Sequence, residues 1–135
     1  MKPNLKLANS EESSEPVSHT NEFGIPEYTV NLPDSKVEVI MREPRLGDIR
    51  VAELDIQRLK TEIGEFDSES IHAVLPLLKQ LIVKFGNKLA TKKSNGLTAK
   101  PAMELEDFDT LTLGDVAALS SVMSNFRGYS NTESK

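Results

Sequence analysis

The chain has 135 residues, enough for one domain, and its net charge of −5 argues against a general binder of the nucleic-acid backbone. It has no cysteine, which excludes disulfide bonds, thiolate nucleophiles and cysteine-based zinc sites. No apolar run approaches the roughly 20 residues of a membrane-spanning helix, and residues 1–16 lack the apolar stretch of a secretory signal. We therefore expect a soluble protein that is made and used in a cytoplasm.

The N-terminal residues 1–26 are rich in serine, glutamate, asparagine and proline and show no apolar period. Such a segment buries too little apolar surface to offset the entropy lost on ordering. We predict a disordered arm over 1–26, with order beginning near Tyr28.

A β-hairpin is predicted over residues 28–41. Apolar and polar residues alternate from Tyr28 to Leu32. They alternate again from Lys36 to Arg42, except at Ile40, so each strand has one apolar face and Arg42 falls on the polar one. The Pro-Asp-Ser sequence at 33–35 supplies turn chemistry between the strands. Because two strands alone are marginally stable in water, the hairpin needs another layer to cover.

The apolar period changes to that of a helix from Leu46 to about Ile63. Leu54 projects almost opposite the apolar stripe of this helix and Val51 to one side, which indicates contacts with two layers. The stripe consists of Ile49, Ala52, Ile56, Leu59 and Ile63.

A second helix is predicted over residues 69–85, where a wide apolar face extends from Ile71 to Phe85. Pro76 lies within it, although proline removes a helical hydrogen bond and clashes with the preceding turn. Two alternatives remain open. The helix is kinked at Pro76, or it begins nearer Val74 with Pro76 in its first turn.

Glycines, a proline and four lysines mark residues 86–107 as a long loop, and we expect mobility over about 88–106. The segment is either a solvated connection or a basic contact strip for an acidic partner. Loops of this length in a compact domain are usually functional or disordered, so both interpretations stand. The lysines are Lys88, Lys92, Lys93 and Lys100.

A third helix is predicted over residues 113–126, followed by a disordered polar tail over 128–135. No charged residue occurs between Val116 and Phe126, whereas a solvated helix face normally carries lysine and glutamate. The side away from its apolar stripe is therefore either internal to the domain or held for a partner or a second copy. That side consists of Ala117, Ala118, Ser120, Ser121, Ser124 and Asn125.

The first and third helices both begin with Leu-Gly-Asp, at residues 46–48 and 113–115. A single glycine followed by an acidic residue does not make a phosphate-binding loop, which needs several glycines. Thr112 and Asp115 have the spacing of a capping box, whereas Arg45 at the equivalent position cannot cap. We interpret the repeated Leu-Gly-Asp tripeptide as two similar helix starts rather than as a duplicated module.

Residues suited to catalysis are scarce. His72 is the only histidine predicted to be ordered, and it falls on the polar side of the second helix, where a solvated side chain is expected. The acidic run at 104–109 precedes a helix and lacks the rigid frame of a metal site. We predict no enzymatic activity, no cofactor and no metal.

Two stretches carry a family resemblance: "VEVIMREPRLGDIRVAE" (37–53) and "DFDTLTLGDVAALSSVMSNF" (107–126). They resemble the small tail assembly chaperones of long-tailed bacteriophages, in particular the Mu-like contractile-tail branch. The matching features are the Arg-Glu-Pro step at 42–44, Gly-Asp at 47–48, the apolar run 71–85, and the helix from Asp115 to Phe126. The lysine-rich insertion and the acidic arm depart from the family pattern.

The resemblance implies a chaperone that binds the tape measure protein and keeps it soluble in the host cytoplasm while the tail tube assembles. Such a protein is not expected in the mature virion. The tail tube protein and a second copy of the chain are further partners to consider, whereas nucleic acid and membrane are not expected. The alternative is a structural tail component, a tube or baseplate adaptor, because the hairpin could add to a neighbour's sheet.

We expect an α+β domain over residues 27–127, dominated by three helices with the N-terminal hairpin lying against them. The partner-binding surface is assigned to the uncharged side of the third helix and to the off-stripe residues of the first. The assigned residues are Ala117, Ala118, Ser121, Ser124, Asn125, Val51 and Leu54.

Overall fold

The structure is a computed structural model that describes residues 17–67 and 69–126. Within these ranges it contains three α-helices, a 3₁₀ helix and seven strands. The strands are β1 (Val17–Thr20), β2 (Pro26–Asn31), β3 (Glu38–Arg42), β4 (Ile82–Phe85), β5 (Lys88–Leu89), β6 (Thr91–Lys92) and β7 (Thr98–Lys100). The helices are α1 (Leu46–Ile63), α2 (Ile71–Leu81), the 3₁₀ helix (Leu105–Thr110) and α3 (Leu113–Met123).

Strands β1 to β5 form one antiparallel sheet in the order β1-β2-β3-β4-β5, and β6 and β7 form a separate two-stranded sheet. The expectation of a helix-dominated domain with one hairpin is therefore wrong. Three regions that did not show strand periodicity contribute strands: the end of the predicted arm, the end of the predicted second helix, and the predicted loop.

The predicted hairpin is present at the centre of the larger sheet. In the β2–β3 register, Tyr28 lies opposite Met41 and Val30 opposite Val39. Val39 and Met41 are fully buried, as the alternation predicts. Since β2 also pairs with β1 and β3 with β4, both outer edges of the hairpin are occupied.

The prediction of a disordered arm over 1–26 is wrong for residues 17–26, which are ordered. Strand β1 pairs with β2 through a register that places Ser18 opposite Tyr28. The side-chain oxygen of Asn21 then accepts hydrogen bonds from the amides of Phe23 and Ile25, at 2.8 and 3.1 Å. An edge strand can pair through its backbone hydrogen bonds without an alternating apolar pattern. The sequence pattern therefore did not predict β1. The predicted disorder of residues 1–16 and 128–135 lies outside the described residues.

Helix α1 has the predicted bounds, but α2 begins and ends inside its predicted range. The hydroxyl of Ser70 accepts a hydrogen bond from the amide of His72 and caps α2, so the helix begins at Ile71 and Pro76 lies within it. The alternative start near Val74 is thus wrong. Strand β4 follows Leu81 without a loop, because a continuous apolar run does not distinguish a buried helix from a buried strand.

The segment predicted as a long loop contains β5, β6, β7 and the first residues of the 3₁₀ helix. The prediction of a long loop over 86–107 is therefore wrong where these elements lie. The sequence did not reveal the strands because two or three residues are too few to show alternation. The mobility of residues 88–106 stays a prediction.

The core lies between the sheet and the helices α2 and α3. Tyr28 of β2 packs its ring against Phe126, with ring centroids 5.4 Å apart. No helix in the described ranges is long and apolar enough to cross a membrane. The fully or nearly fully buried side chains of the core include Leu32, Val39, Met41, Leu78, Leu81, Ile82, Leu119 and Phe126.

Candidate functional site

Helix α3 has one buried side and one exposed side. Leu119 and Met123 on the inner side are buried in the core, and Ala118 is half-buried against it. The assigned residues on the outer side are exposed: Ala117 and Ser121 of α3, Ser124 at its C-cap and Asn125 just beyond it. The helix ends at Met123, three residues before the predicted end at Phe126. Within the described part of the chain, the interpretation that the uncharged side of α3 is internal to the domain is therefore wrong. This exposed side carries no charged residue.

A shallow groove of about 230 Å³ lies beside this face, between α2 and α3. Leu113 is 78% exposed and Ile71 is 36% exposed, so both present apolar surface to water. The one charged side chain among the described lining residues is Glu69. The lining residues are Glu69, Ile71, Val74, Leu113, Val116, Ala117 and Ser120.

Asp115 fixes the N-terminal turn of α3, and with it one wall of the groove. The hydroxyl of Thr112 accepts a hydrogen bond from the Asp115 amide at 3.1 Å, as predicted for the cap. The buried Asp115 carboxylate accepts bonds from the amides of Asp34 and Ser35, at 2.9 and 3.3 Å, and from the Ser35 hydroxyl. The helix start is thereby tied to the turn between β2 and β3.

The environment of Asp115 lowers its pKa. Burial alone raises the pKa, because it disfavours the charged form, but the hydrogen bonds outweigh it. The contributing donors are the Ser35 hydroxyl and the backbone amides of Asp34, Ser35 and Thr112. The carboxylate is therefore charged at neutral pH and fully engaged in holding α3.

A buried ion pair holds the N-terminal turn of α1 in place, as Asp115 does for α3. Arg42 of β3 and Asp48 of α1 form a buried two-pronged ion pair, with N–O distances of 2.7 and 2.8 Å. The Arg42 guanidinium also donates to the hydroxyl of Thr98 at 3.0 Å and to the carbonyl oxygen of Gln80 at 3.3 Å. One Asp48 oxygen accepts from the amide of Arg45 as well, at 2.9 Å. The pair therefore joins β3, α1, α2 and β7.

The assigned residues of α1 lie apart from the groove lining. Leu54 is 69% exposed and Val51 is 39% exposed, and α1 packs against α2. Neither side chain lines the groove between α2 and α3. Among the seven assigned residues, Ala117 alone lines the groove, and the others lie on α1, elsewhere on α3 or just past its C-terminal end.

Sequence reasoning missed most of the groove lining. The sequence places Ile71 and Val74 on the wide apolar face of the second helix, and it gives Leu113 no role beyond the start of the third. One signal was available: Leu113 lies at the first helical position, outside the stripe that begins at Val116. His72, expected to be solvated, is exposed and packs against the Phe66 ring, with centroids 5.4 Å apart.

Comparison with known proteins finds no matching family model, no matching curated protein and no matching solved structure. Within residues 17–67 and 69–126, no group of three or more His, Cys, Asp or Glu side chains is placed to hold a metal ion.

Proposed function

We propose that the chain is a tail assembly chaperone that holds a helical segment of the tape measure protein on the outer face of α3 and in the adjoining groove. The exposed, uncharged side of α3 beside an apolar groove is the observation that carries this proposal. The resemblance of residues 37–53 and 107–126 to the chaperone family supplies the identity of the partner.

The chemistry of the groove favours an amphipathic helix as the occupant. Such a helix lays a row of apolar side chains into an apolar groove and leaves its polar side in water. Ile71 and Leu113 would be removed from water in the complex, which is favourable by roughly 25 cal/mol per Å² of apolar surface. Because the α3 face carries no charge, docking on that face strips no ion of its water, and Glu69 is the one charged side chain among the described residues that line the groove.

The small side chains of α3 favour the same occupant. Ala117, Ser121 and Ser124 lie about one helical turn apart on the exposed side. With no long side chain between them, the backbone of a partner helix can approach closely. Long solvated side chains would have to be moved or desolvated first.

The structural-component alternative rested on a hairpin able to add to a neighbour's sheet. In the structure β2 and β3 are each paired on both sides, and the outer edges of the larger sheet belong to β1 and β5.

The test is to replace Ser121 and Ser124 with glutamate and to co-express the variant with the tape measure protein. A charge at either position must be desolvated or must block docking, so we expect soluble tape measure protein to fall at least roughly tenfold. Gln57→Glu with Thr61→Glu on the exposed side of α1 is the matched control, since it adds the same charge at a similar spacing.

The expected result requires that both double variants keep their helical circular-dichroism signal and melt close to the wild type. A folded Ser121/Ser124 variant that still solubilises the tape measure protein would contradict the proposed surface. Loss of solubility with both variants would mean that added negative charge, or the Leu54 side of α1 where the control charges lie, is responsible and not the α3 face.

A further inference from the structure

The first residues of the chain combine apolar and basic side chains. Residues 1–26 as a whole show no apolar period, but residues 1–7 alternate between apolar and polar side chains. When such a segment is extended, its apolar side chains share one face. The apolar residues are Met1, Pro3, Leu5 and Leu7, and the polar ones are Lys2, Asn4 and Lys6.

Charge divides the chain before β1 into two pieces. Residues 1–8 contain two lysines and no acidic residue, and residues 9–16 contain three glutamates and no basic residue. Residues 1–8, here called the N-terminal segment, therefore carry both leucines of this region together with its positive charge. The acidic residues 9–16 connect the segment to β1.

The lining of the groove between α2 and α3 includes an acidic side chain without an ion pair. Glu69 is exposed and is the one charged side chain among the described lining residues. Its carboxylate forms no ion pair within residues 17–67 and 69–126. In the same lining, Ile71 and Leu113 present apolar surface to water. An occupant that carries aliphatic side chains and a lysine therefore matches the groove in both apolarity and charge.

The N-terminal segment is tethered within reach of this groove. Strand β1 begins at Val17 and pairs with β2, and β2 packs against α3. Residues 8–16 span up to about 30 Å when extended, whereas a domain of this size has a radius of gyration of about 13 Å. These residues are predicted to be disordered, and a short flexible tether gives an effective concentration on the order of millimolar. Weak contacts therefore suffice to hold the segment in the groove.

The free edge of β1 suits the same segment less well. An alternating segment could add to this edge as a further strand, but its apolar side would then need an apolar surface beside β1. On the core-facing side of the sheet β1 presents Ser18 and Thr20, which are polar and exposed. The groove offers Ile71 and Leu113 instead.

We propose that the N-terminal segment docks in the groove between α2 and α3. Leu5 and Leu7 lie against its apolar wall, and a lysine of the segment pairs with Glu69. The chain thereby covers its own exposed apolar surface, and a partner has to displace the segment. Displacement lowers the partner's apparent affinity in proportion to the fraction of grooves that are free. This regulatory consequence rests on the proposed function, whereas the docking itself does not.

The test places a nitroxide on the full chain, which has no cysteine, so that Ala8→Cys gives a single attachment point. Methyl NMR signals of Ile71, Val74 and Leu113 should then be broadened and lose at least roughly half of their intensity. The signal of Leu54 on α1, outside the groove, should be unaffected. In a mixture of spin-labelled chain without isotope and isotope-labelled chain without nitroxide, the groove signals should stay intact, because the docking is intramolecular.

Two pairs of variants assign the contacts. Adding Leu5→Ser/Leu7→Ser should restore the groove signals, whereas Asn4→Ser/Asn9→Ser, the matched control, should leave them broadened. Glu69→Lys should restore them in part through charge repulsion, and Glu53→Lys on the exposed side of α1 should not.

Three results would overturn the docking. Groove signals that stay intact in the spin-labelled chain, or that stay broadened in Leu5→Ser/Leu7→Ser, would mean that the segment is not held there. Equal broadening in the mixed sample would assign the groove to the segment of a second copy. Leucine-dependent broadening confined to Ser18 and Thr20 would place the segment on the edge of β1.

Co-expression separates the docking from the proposed function. If the segment occupies the site of the tape measure protein, Leu5→Ser/Leu7→Ser should raise soluble tape measure protein by roughly twofold or more. Docking seen by NMR without any change on co-expression would contradict the groove as the site of the tape measure protein, while the docking would stand.

Discussion

The two Leu-Gly-Asp helix starts are alike locally and different in what their aspartates hold. In each, the leucine is 78% exposed and the aspartate is buried. Asp48 pairs with the charged Arg42, whereas Asp115 accepts hydrogen bonds from the neutral donors of a turn. The shared tripeptide therefore specifies a helix start, and the rest of the fold decides what the buried carboxylate connects.

The difference also sets the energetic consequences of losing each carboxylate. Removing one member of a buried ion pair leaves the other charge in a poor environment, which costs more than leaving neutral donors unpaired. The first helix start should therefore be the more sensitive of the two.

The largest effect is expected for Asp48→Ala. It leaves the fully buried Arg42 without its counter-charge and should lower the free energy of unfolding by about 3–5 kcal/mol. Urea denaturation at pH 7 measures this. In the double variant Arg42→Met/Asp48→Leu no unpaired charge remains, so its loss should be clearly smaller. A larger loss in the double variant would mean that the pair acts through shape rather than charge.

An intermediate effect is expected for Asp115→Asn, roughly 1–3 kcal/mol at pH 7, because the charged acceptor of several bonds is replaced by a neutral one. The folded pKa is lowered, so the stabilisation is fully present above the unfolded-state pKa of about 3.9 and is lost as the pH falls through the folded pKa. The stability difference between wild type and variant should stay constant from about pH 7 to 5 and shrink below about pH 4. A difference that grows with acidification would contradict the assignment.

The smallest stability changes are expected for Leu46→Ser and Leu113→Ser, each within about 0.5 kcal/mol, because both side chains are already exposed. The two should differ in function. Leu113 lines the groove and Leu46 does not, so only Leu113→Ser should reduce soluble tape measure protein on co-expression. Equal behaviour of the two variants would count against the groove.

Local patterns predicted the elements whose apolar spacing extends over most of the element. Helix α1 and the β2–β3 hairpin follow directly from their apolar spacing, and the Thr112 cap from its side-chain chemistry. The alternation also placed Arg42 on the polar side of its strand, yet the side chain is fully buried. It is buried because Asp48 at the start of the next helix and Thr98 of β7 contact it, and the alternation along its own strand does not indicate either contact.

The groove could be predicted only in part, for the same reason. The sequence predicted the uncharged side of α3. It did not predict that α2 forms the other wall of the groove, because the position of α2 depends on the packing of the whole core. Ile71 and Val74 are apolar whether they face the core or a groove, and the sequence does not separate these two cases.

The direct passage from α2 into β4 constrains how the gene can change. Leu81 ends the helix and Ile82 begins the strand, so no loop residue can absorb an insertion. One added residue in α2 would rotate the preceding helical side chains by about 100° relative to the sheet, or else shift β4 by one position and exchange its two faces. Insertions and deletions at this junction should therefore be rejected, while the turn between β2 and β3 can change length only if Asp34 and Ser35 still reach Asp115.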